Sequence, residues 1–246
     1  MPSTTILEAY SSLGVKRGDT LIVQSSFKNL ASLNCSPKVL VDSLLELVGK
    51  SGTLIMPAYN FKSWTEQHYF DSKETPCTIG LIPEIFRLSR GVRRTRHPIH
   101  SLSVFGPLAE ELSELDYVDA FGNDSVFAAL LRVNAIYSTL GLGPEMPFLP
   151  CHFAETQFKV PYRRQKLFSG IYVDPNGKAS IQTYGFHVRE LGTSQNPVEN
   201  CHVMLCERRL INQQIHKGIK VNAASALDYH NGFVSLIREK PELFAK

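Results

Sequence analysis

Three neighbouring stretches decide the fold: Thr20-Leu21-Ile22-Val23-Gln24-Ser25, the span from Ser36-Pro37 to Gly49, and Thr53-Leu54-Ile55-Met56-Pro57. The first is apolar and β-branched until its polar end, the pattern of a buried strand that delivers Ser25 and Ser26 to a sheet edge. Ser36 reads as an N-cap with Pro37 in the first helical position, and Leu40, Leu44, Leu47 and Val48 form an apolar stripe running to Gly49. Thr53 to Met56 then reads as a second strand, ended by Pro57. Strand, helix, strand over this distance is a βαβ unit, which favours parallel neighbours and a right-handed crossover. Ligands in such sheets gather at the carboxyl ends of strands, which singles out Ser25, Ser26, Tyr59 and Asn60.

Reading outward, residues 4–12 form a short opening helix. Residues 58–78 are aromatic, polar and irregular, long for a connector, and loops of that length usually carry function. Tyr59, Asn60, Trp64 and Asp71 from this stretch are expected to contact a small-molecule substrate. Helical patterns follow at 81–88, 107–115, 125–131 and 151–158, with strands at 101–105 and 135–140. The pattern then changes to a hairpin, Leu167 to Val173 and Ala179 to His187 across Asp174-Pro175-Asn176-Gly177. A helix around 197–207, a strand near 217–222 and a helix from about Ser225 to Leu243 complete the chain. No linker separates two units. The expected architecture is a single α/β domain over residues 1–246, a central mostly parallel sheet flanked by helices with a β-rich insertion at about 165–190.

Composition narrows the function. Of 246 residues, 43% are hydrophobic and 20% charged, enough apolar material for a substantial core. The 26 basic residues exceed the 23 acidic ones by only three, too few for a nucleic-acid partner. The basic excess is densest from Arg87 to Arg96, a segment suited to phosphates of a small molecule. Five scattered cysteines suggest free thiols in a reducing compartment, and no stretch reaches the length of a membrane span. A cytoplasmic protein without a membrane partner is expected, as monomer or homodimer.

Two groups of residues carry chemistry. His152 and Glu155, three apart on a helix, share a face, so the carboxylate can orient the imidazole as a general base. Such pairs are common on protein surfaces. This one follows an apolar strand, Gly141-Leu142-Gly143 and a Pro-broken loop, where a sheet edge presents reactive groups. In Arg96-His97-Pro98-Ile99-His100-Ser101, Pro98 disfavours the helix that two metal-binding histidines would need, so no metal is expected and hydrogen bonds to a ligand or backbone are the better reading. A metal-dependent hydrolase using His97 and His100 stands as an alternative. Cys151 beside His152 resembles a nucleophile and base only in print.

Taken in order, Val23-Gln24-Ser25-Ser26, Gly52 to Pro57, Thr75-Pro76 with Gly80 and Phe86-Arg87, Arg96 to Ser101, Phe105-Gly106-Pro107 and His152-Phe153-Ala154-Glu155 resemble the aminoglycoside 3-N-acetyltransferase family over roughly residues 5 to 245. The resemblance implies an acetyl-CoA-dependent N-acetyltransferase with a fold distinct from the GNAT enzymes. It implies that His152 is the catalytic base and Glu155 its supporting carboxylate. It also implies that Ser25 and Ser26, with Phe27 beside them, and His97, His100 and Ser101 line the coenzyme channel. The sequence departs from the family pattern at Gln24, at Phe27, at 121–127 and at 144–151. Together with the arginine run and the lack of an acidic cradle, this leads to the expectation of an amino-sugar acceptor, nucleotide-linked and from glycan biosynthesis. Antibiotic resistance by aminoglycoside acetylation and an idle coenzyme-binding relative are the alternatives.

Overall fold

The computed structural model describes residues 2–143, 150–190 and 197–240. Its strands, numbered along the chain, are β1 (Thr20–Ser25), β2 (Thr53–Pro57), β3 (Tyr69–Asp71), β4 (Arg93–Arg94), β5 (Leu102–Phe105), β6 (Ile136–Leu140), β7 (Arg163–Val173), β8 (Ala179–Arg189), β9 (Asn212–His216) and β10 (Ile219–Ser225). Its helices are α1 (Pro2–Ser12), α2 (Pro37–Val48), α3 (Phe61–Thr65), α4 (Leu81–Arg87), α5 (Ala109–Glu114), α6 (Val126–Arg132), α7 (Cys151–Gln157), α8 (Pro197–Glu207) and α9 (Ala226–Glu239), with a short 3-10 turn over Phe27–Leu33.

The deciding segments form as read. Ser36 Oγ accepts from the Val39 N–H, Pro37 opens α2, and Gly49 takes over at φ 66° where the helix stops. β1 then pairs in parallel with β2 on one side and β6 on the other. The large sheet has the order β4-β5-β2-β1-β6-β10-β9. β5 and β10 run against the rest, so β4, β2, β1, β6 and β9 share one direction while the parallel ladders are confined to the centre. The mostly parallel sheet flanked by helices is therefore present, with antiparallel edges.

Alternation along β1 and β2 divides the core. Leu21, Val23, Leu54 and Met56 pack under α1, α2 and α4 with Ile6, Leu40, Leu44 and Phe86. Ile22 and Ile55 point the other way, into a cluster with Phe121, Phe127, Leu130, Leu205 and Phe233 from the loop before α6 and from α6, α8 and α9. The Phe105-Gly106-Pro107 turn joins these layers. Gly106 sits at φ 120°, and a Cβ there would lie 2.3 Å from the Gly52 carbonyl oxygen, so only glycine fits where these two backbones touch.

The second sheet, β3-β7-β8, is the insertion. Asp174 Oδ1 accepts from the Asn176 and Lys178 N–H groups at 2.8 and 3.0 Å, and Gly177 turns at φ 82°, closing the hairpin in register from Arg163↔Arg189 to Val173↔Ala179. One face of this sheet packs Phe70, Tyr172 and Tyr184 against Trp64 and Ile99. The connector after β2 is thus not irregular throughout: α3 and β3 lie inside it. The strand expected near 217–222 is a hairpin, β9–β10, turning at Lys217 and Gly218, both at positive φ. The last helix ends at Glu239, and the part expected to continue through 241–243 lies outside the described residues.

Candidate active site

α7 begins ten residues after β6 and places His152 and Glu155 on one face. His152 Nδ1 lies 2.5 Å from Glu155 Oε2. The Glu155 side chain is wholly buried, whereas the His152 ring keeps 27% of its surface exposed. Two residues at the start of the hairpin complete the carboxylate's shell: the Tyr162 hydroxyl donates to Oε1, and Arg163 Nε stands 2.9 Å from Oε2. Burial pushes the Glu155 carboxyl up, but His152, Arg163 and Tyr162 together outweigh it and hold it below the ordinary carboxylate range. An ionised carboxylate only accepts, so the proton between the pair sits on Nδ1. With Nδ1 as the donor, Nε2 is the ring's acceptor nitrogen, on a ring that Glu155 orients.

Cys151 does not share this chemistry. It is 1% exposed, and burial, with Glu155 nearby, raises its thiol well above the ordinary range. Its Sγ stands 3.7 Å from His152 Nδ1, the nitrogen already engaged by Glu155.

A cavity of about 660 Å³ opens at the carboxyl ends of β1 and β2. Ser25, Ser26, Phe27, Lys28, Tyr59 and Phe61 line it, with Gly80 at the start of α4. Ser25, Ser26, Phe27 and Tyr59, all singled out from sequence, are therefore brought together in one wall. Rings connect this wall to the dyad: Tyr59 meets His100 edge-on at 5.1 Å between centroids, His100 lies 4.9 Å from Phe121, and Phe121 meets His152 at 5.6 Å.

The other expected contacts take different roles. His97 is fully buried. Its Nδ1 accepts from the His100 N–H, and Nε2 lies 3.2 Å from the Gly185 carbonyl, a neutral tautomer with both nitrogens engaged. Burial pushes its pKa down to about 4. His100 is held well below its ordinary range, again chiefly by burial. Ser101 Oγ donates to the Ala58 carbonyl and accepts from Arg94 Nε, each at 2.9 Å. His97, His100 and Ser101 thus stand behind the cavity wall rather than in it. Asn60 caps α3 by accepting from the Ser63 N–H and donates to the Pro76 carbonyl. Trp64 is completely buried and donates from Nε1 to the Phe168 carbonyl at 3.0 Å. Asp71 Oδ1 accepts from the N–H groups of Lys73 and Glu74. These three side chains fasten the connector and are absent from the cavity wall.

The arginine run needs the same correction. Arg87 is engaged by Glu84 and the Lys73 carbonyl, Arg93 by Glu110 and Glu114, and Arg96 by Asp116. Buried Arg94 donates to Ser101 and to the carbonyls of Thr75 and Ala58, beneath the Phe70 ring. Arg87 and Arg94 are thus internal bracing, whereas Arg93 and Arg96 pair with exposed carboxylates at the surface. Among the described residues no group of three His, Cys, Asp or Glu side chains is placed to hold a metal ion, and no helix is long and apolar enough to cross a membrane.

Sequence reading missed Asp119, Tyr162, Arg163 and His187. His187 Nε2 lies 2.9 Å from Asp119 Oδ1, a second imidazole–carboxylate pair beside the first. Their partners lie up to 68 positions apart, and the only local signal is Tyr162-Arg163 directly after the reactive helix.

Fold and site together define an α/β protein with an oriented imidazole joined by a chain of ring contacts to the wall of an open, mostly apolar cavity. The aminoglycoside 3-N-acetyltransferase family model matches residues 22–230, and the chain belongs to that family. It is 31% identical over 153 residues to aminoglycoside N(3)-acetyltransferase IV of Salmonella sp, covering 61% of this chain and 57% of that protein. It is 28% identical over 200 residues to the type III enzyme of Enterobacter cloacae, covering 72% and 68%. Among solved structures, AAC-VIa bound to sisomicin superposes with a TM-score of 0.84 at 21% identity over 97% of each chain. AAC-IIIb in a binary complex with CoASH gives 0.83 at 18% identity over 99% of this chain and 97% of that one, and YokD from Bacillus subtilis gives 0.80 at 19% over 98% and 94%. This fold likeness supports the non-GNAT architecture.

Proposed function

We propose that the chain transfers an acetyl group from acetyl-CoA to an amine of an aminoglycoside, with His152 as general base. The observation that carries this reading is the 2.5 Å contact between His152 and the buried Glu155 carboxylate, in a chain of this family. Acetyl-CoA supplies the thioester carbonyl. Ser25, Ser26, Phe27 and Lys28 are the residues to hold it, in a cavity whose volume falls in the ordinary range for small-molecule sites. Ser25 Oγ fits that use, being a buried hydroxyl without a hydrogen-bond partner among the described residues. The Nε2 atom of His152 takes the proton that the acceptor nitrogen loses as it bonds to carbon. Glu155 stabilises the resulting imidazolium, and a base so placed contributes about 10²–10⁴ in rate. The proton then passes to the departing thiolate, leaving amide and free thiol.

The names of the relatives favour an aminoglycoside acceptor over the nucleotide-linked sugar, and the internal engagement of Arg87 and Arg94 takes two cations out of the run read as a phosphate site. A second reading, an amino sugar of low positive charge, is favoured by one feature. No carboxylate lines the cavity among the described residues, and the nearby Glu155 and Asp119 are already engaged, Glu155 by Arg163 and His152 and Asp119 by His187. Thiol release measured with acetyl-CoA and two panels, aminoglycosides and singly charged amino sugars, tests both. Turnover of aminoglycosides is the expected result. Turnover confined to amino sugars selects the second reading, and turnover of neither with no acetyl-CoA binding in calorimetry removes the acetyltransferase assignment.

A further inference from the structure

The pair missed in the sequence leans on the dyad from three directions. Phe121 lies between the two imidazoles and meets both edge-on, His152 at 5.6 Å and His187 at 5.9 Å between centroids. Arg163 bridges the same two elements, pairing with Glu155 through Nε and donating from Nη1 to the His187 carbonyl at 3.2 Å. Thr156, one residue beyond Glu155, places Oγ1 2.8 Å from the His152 carbonyl and 3.4 Å from His187 Nδ1.

The single hydroxyl proton of Thr156 makes this arrangement informative. It is directed to the His152 carbonyl, so toward His187 the oxygen can only accept, which puts a proton on Nδ1. Nε2 faces Asp119, whose Oδ1 also accepts from the Phe121 N–H. Although burial pushes the Asp119 carboxyl up, His187 and that N–H hold it below its ordinary range, so it too only accepts. Both ring nitrogens of His187 are thus engaged, Nδ1 by Thr156 Oγ1 and Nε2 by Asp119 Oδ1, which fixes the plane of the ring. The charged and titratable groups around it are Asp119 from the loop before α6, Arg163 on β7, His152 and Glu155 on α7, and His97 and His100 ahead of β5.

We propose that His187, anchored by Asp119, is a positioning residue for His152, and that the β7–β8 hairpin takes part in the reaction site by holding α7 and the base in one orientation. The inference rests on the reading of His152 as the base. It assigns no contact with substrate to His187. Its mechanical content is that one hairpin residue fixes the first turn of α7 through Thr156 and flanks the base ring through Phe121, while Arg163 on the facing strand, bonded to the His187 carbonyl, fixes the carboxylate.

The test combines His187→Ala, Asp119→Asn and Thr156→Val with two readouts. Two-bond ¹H–¹⁵N correlation spectra of the imidazoles report protonation directly, with no substrate present. The expected spectrum of the parent shows His152 as a single tautomer protonated at Nδ1. Each variant should convert His152 to a mixture of tautomers and lower kcat by about tenfold or more, with the KM for acetyl-CoA changed less than twofold, as a small misplacement of a reacting group does. Thr156→Val, which exchanges a hydroxyl for a methyl, serves if the other two fail to fold. An unchanged His152 spectrum with kcat within twofold of the parent, in any folded variant of the three, overturns the proposal. The two readings fail separately: full activity in His152→Ala would end the role of the base, while the tautomer spectrum would still report whether His187 orders that ring.

Discussion

Replacing Glu155 separates structural from chemical roles in a single position. The side chain has no exposed surface and meets His152, Tyr162 and Arg163. Glu155→Ala leaves the Tyr162 hydroxyl without its acceptor and the Arg163 guanidinium, 15% exposed, without its counter-charge. Removing one partner of a buried ion pair costs about 3–5 kcal/mol. For a chain of this size each kcal/mol lowers Tm by about 2–4 °C, so a fall of about 6–20 °C is expected. Glu155→Gln keeps an acceptor for Tyr162 and should cost less, about 1–3 kcal/mol. Both should lower kcat by about 10²–10⁴ through loss of the oriented, stabilised imidazole. Because Glu155 is not in the cavity wall, acetyl-CoA affinity should stay within twofold. The pH dependence has a definite sign. A carboxyl held below its ordinary range stabilises the fold above about pH 4.3, and this contribution is lost as pH falls through its native value. The stability gap between parent and variant should therefore narrow in acid. Calorimetric Tm values from pH 3 to 8 with thiol-release kinetics at neutral pH check all of this. A Glu155→Gln protein with parental kcat would refute the reasoning, whatever its stability.

Three further outcomes follow from groups around the site. His97, pushed down to about 4 by burial, stays neutral in the fold while the unfolded chain binds a proton below about pH 6.5, so stability should fall as pH drops from there toward 4, with a slope near 1.4 kcal/mol per unit for that group. Denaturant titrations of the parent and His97→Gln over this range should differ in slope by about one proton, and parallel curves would contradict the assignment. Arg94→Lys should lose about 2–3 kcal/mol in urea unfolding, because an ammonium cannot reproduce a planar fork reaching Ser101, Thr75 and Ala58 under Phe70. Lys28→Ala should raise the KM for acetyl-CoA severalfold with kcat little changed, and an unaltered KM would remove Lys28 from the coenzyme site.

Much of the fold was legible because its signals are local. The capped span from Ser36 to Gly49 and the alternation in β1 and β2 state their own geometry, and so does the Asp174-Pro175-Asn176-Gly177 turn. The His152–Glu155 pair was legible for the same reason, being three residues apart on one helix. What stayed hidden depends on distant partners. Trp64 and Asn60 look like ligand contacts until Phe168 and Pro76 are seen to engage them, and the arginine run looks free until Glu84, Glu110, Asp116 and Ser101 are placed beside it. Asp119 and His187 have no sequence signature, since only the return of the hairpin over α7 makes them neighbours.

The central claim is that His152 takes the proton from the acceptor amine while Glu155 holds it. The most direct measurement is single-turnover acetyl transfer by His152→Ala and His152→Asn, with folding verified by Tm and acetyl-CoA binding verified by calorimetry. The account predicts transfer at least 10²-fold slower than the parent with unchanged coenzyme affinity. Transfer at the parental rate by either folded, coenzyme-binding variant would contradict it.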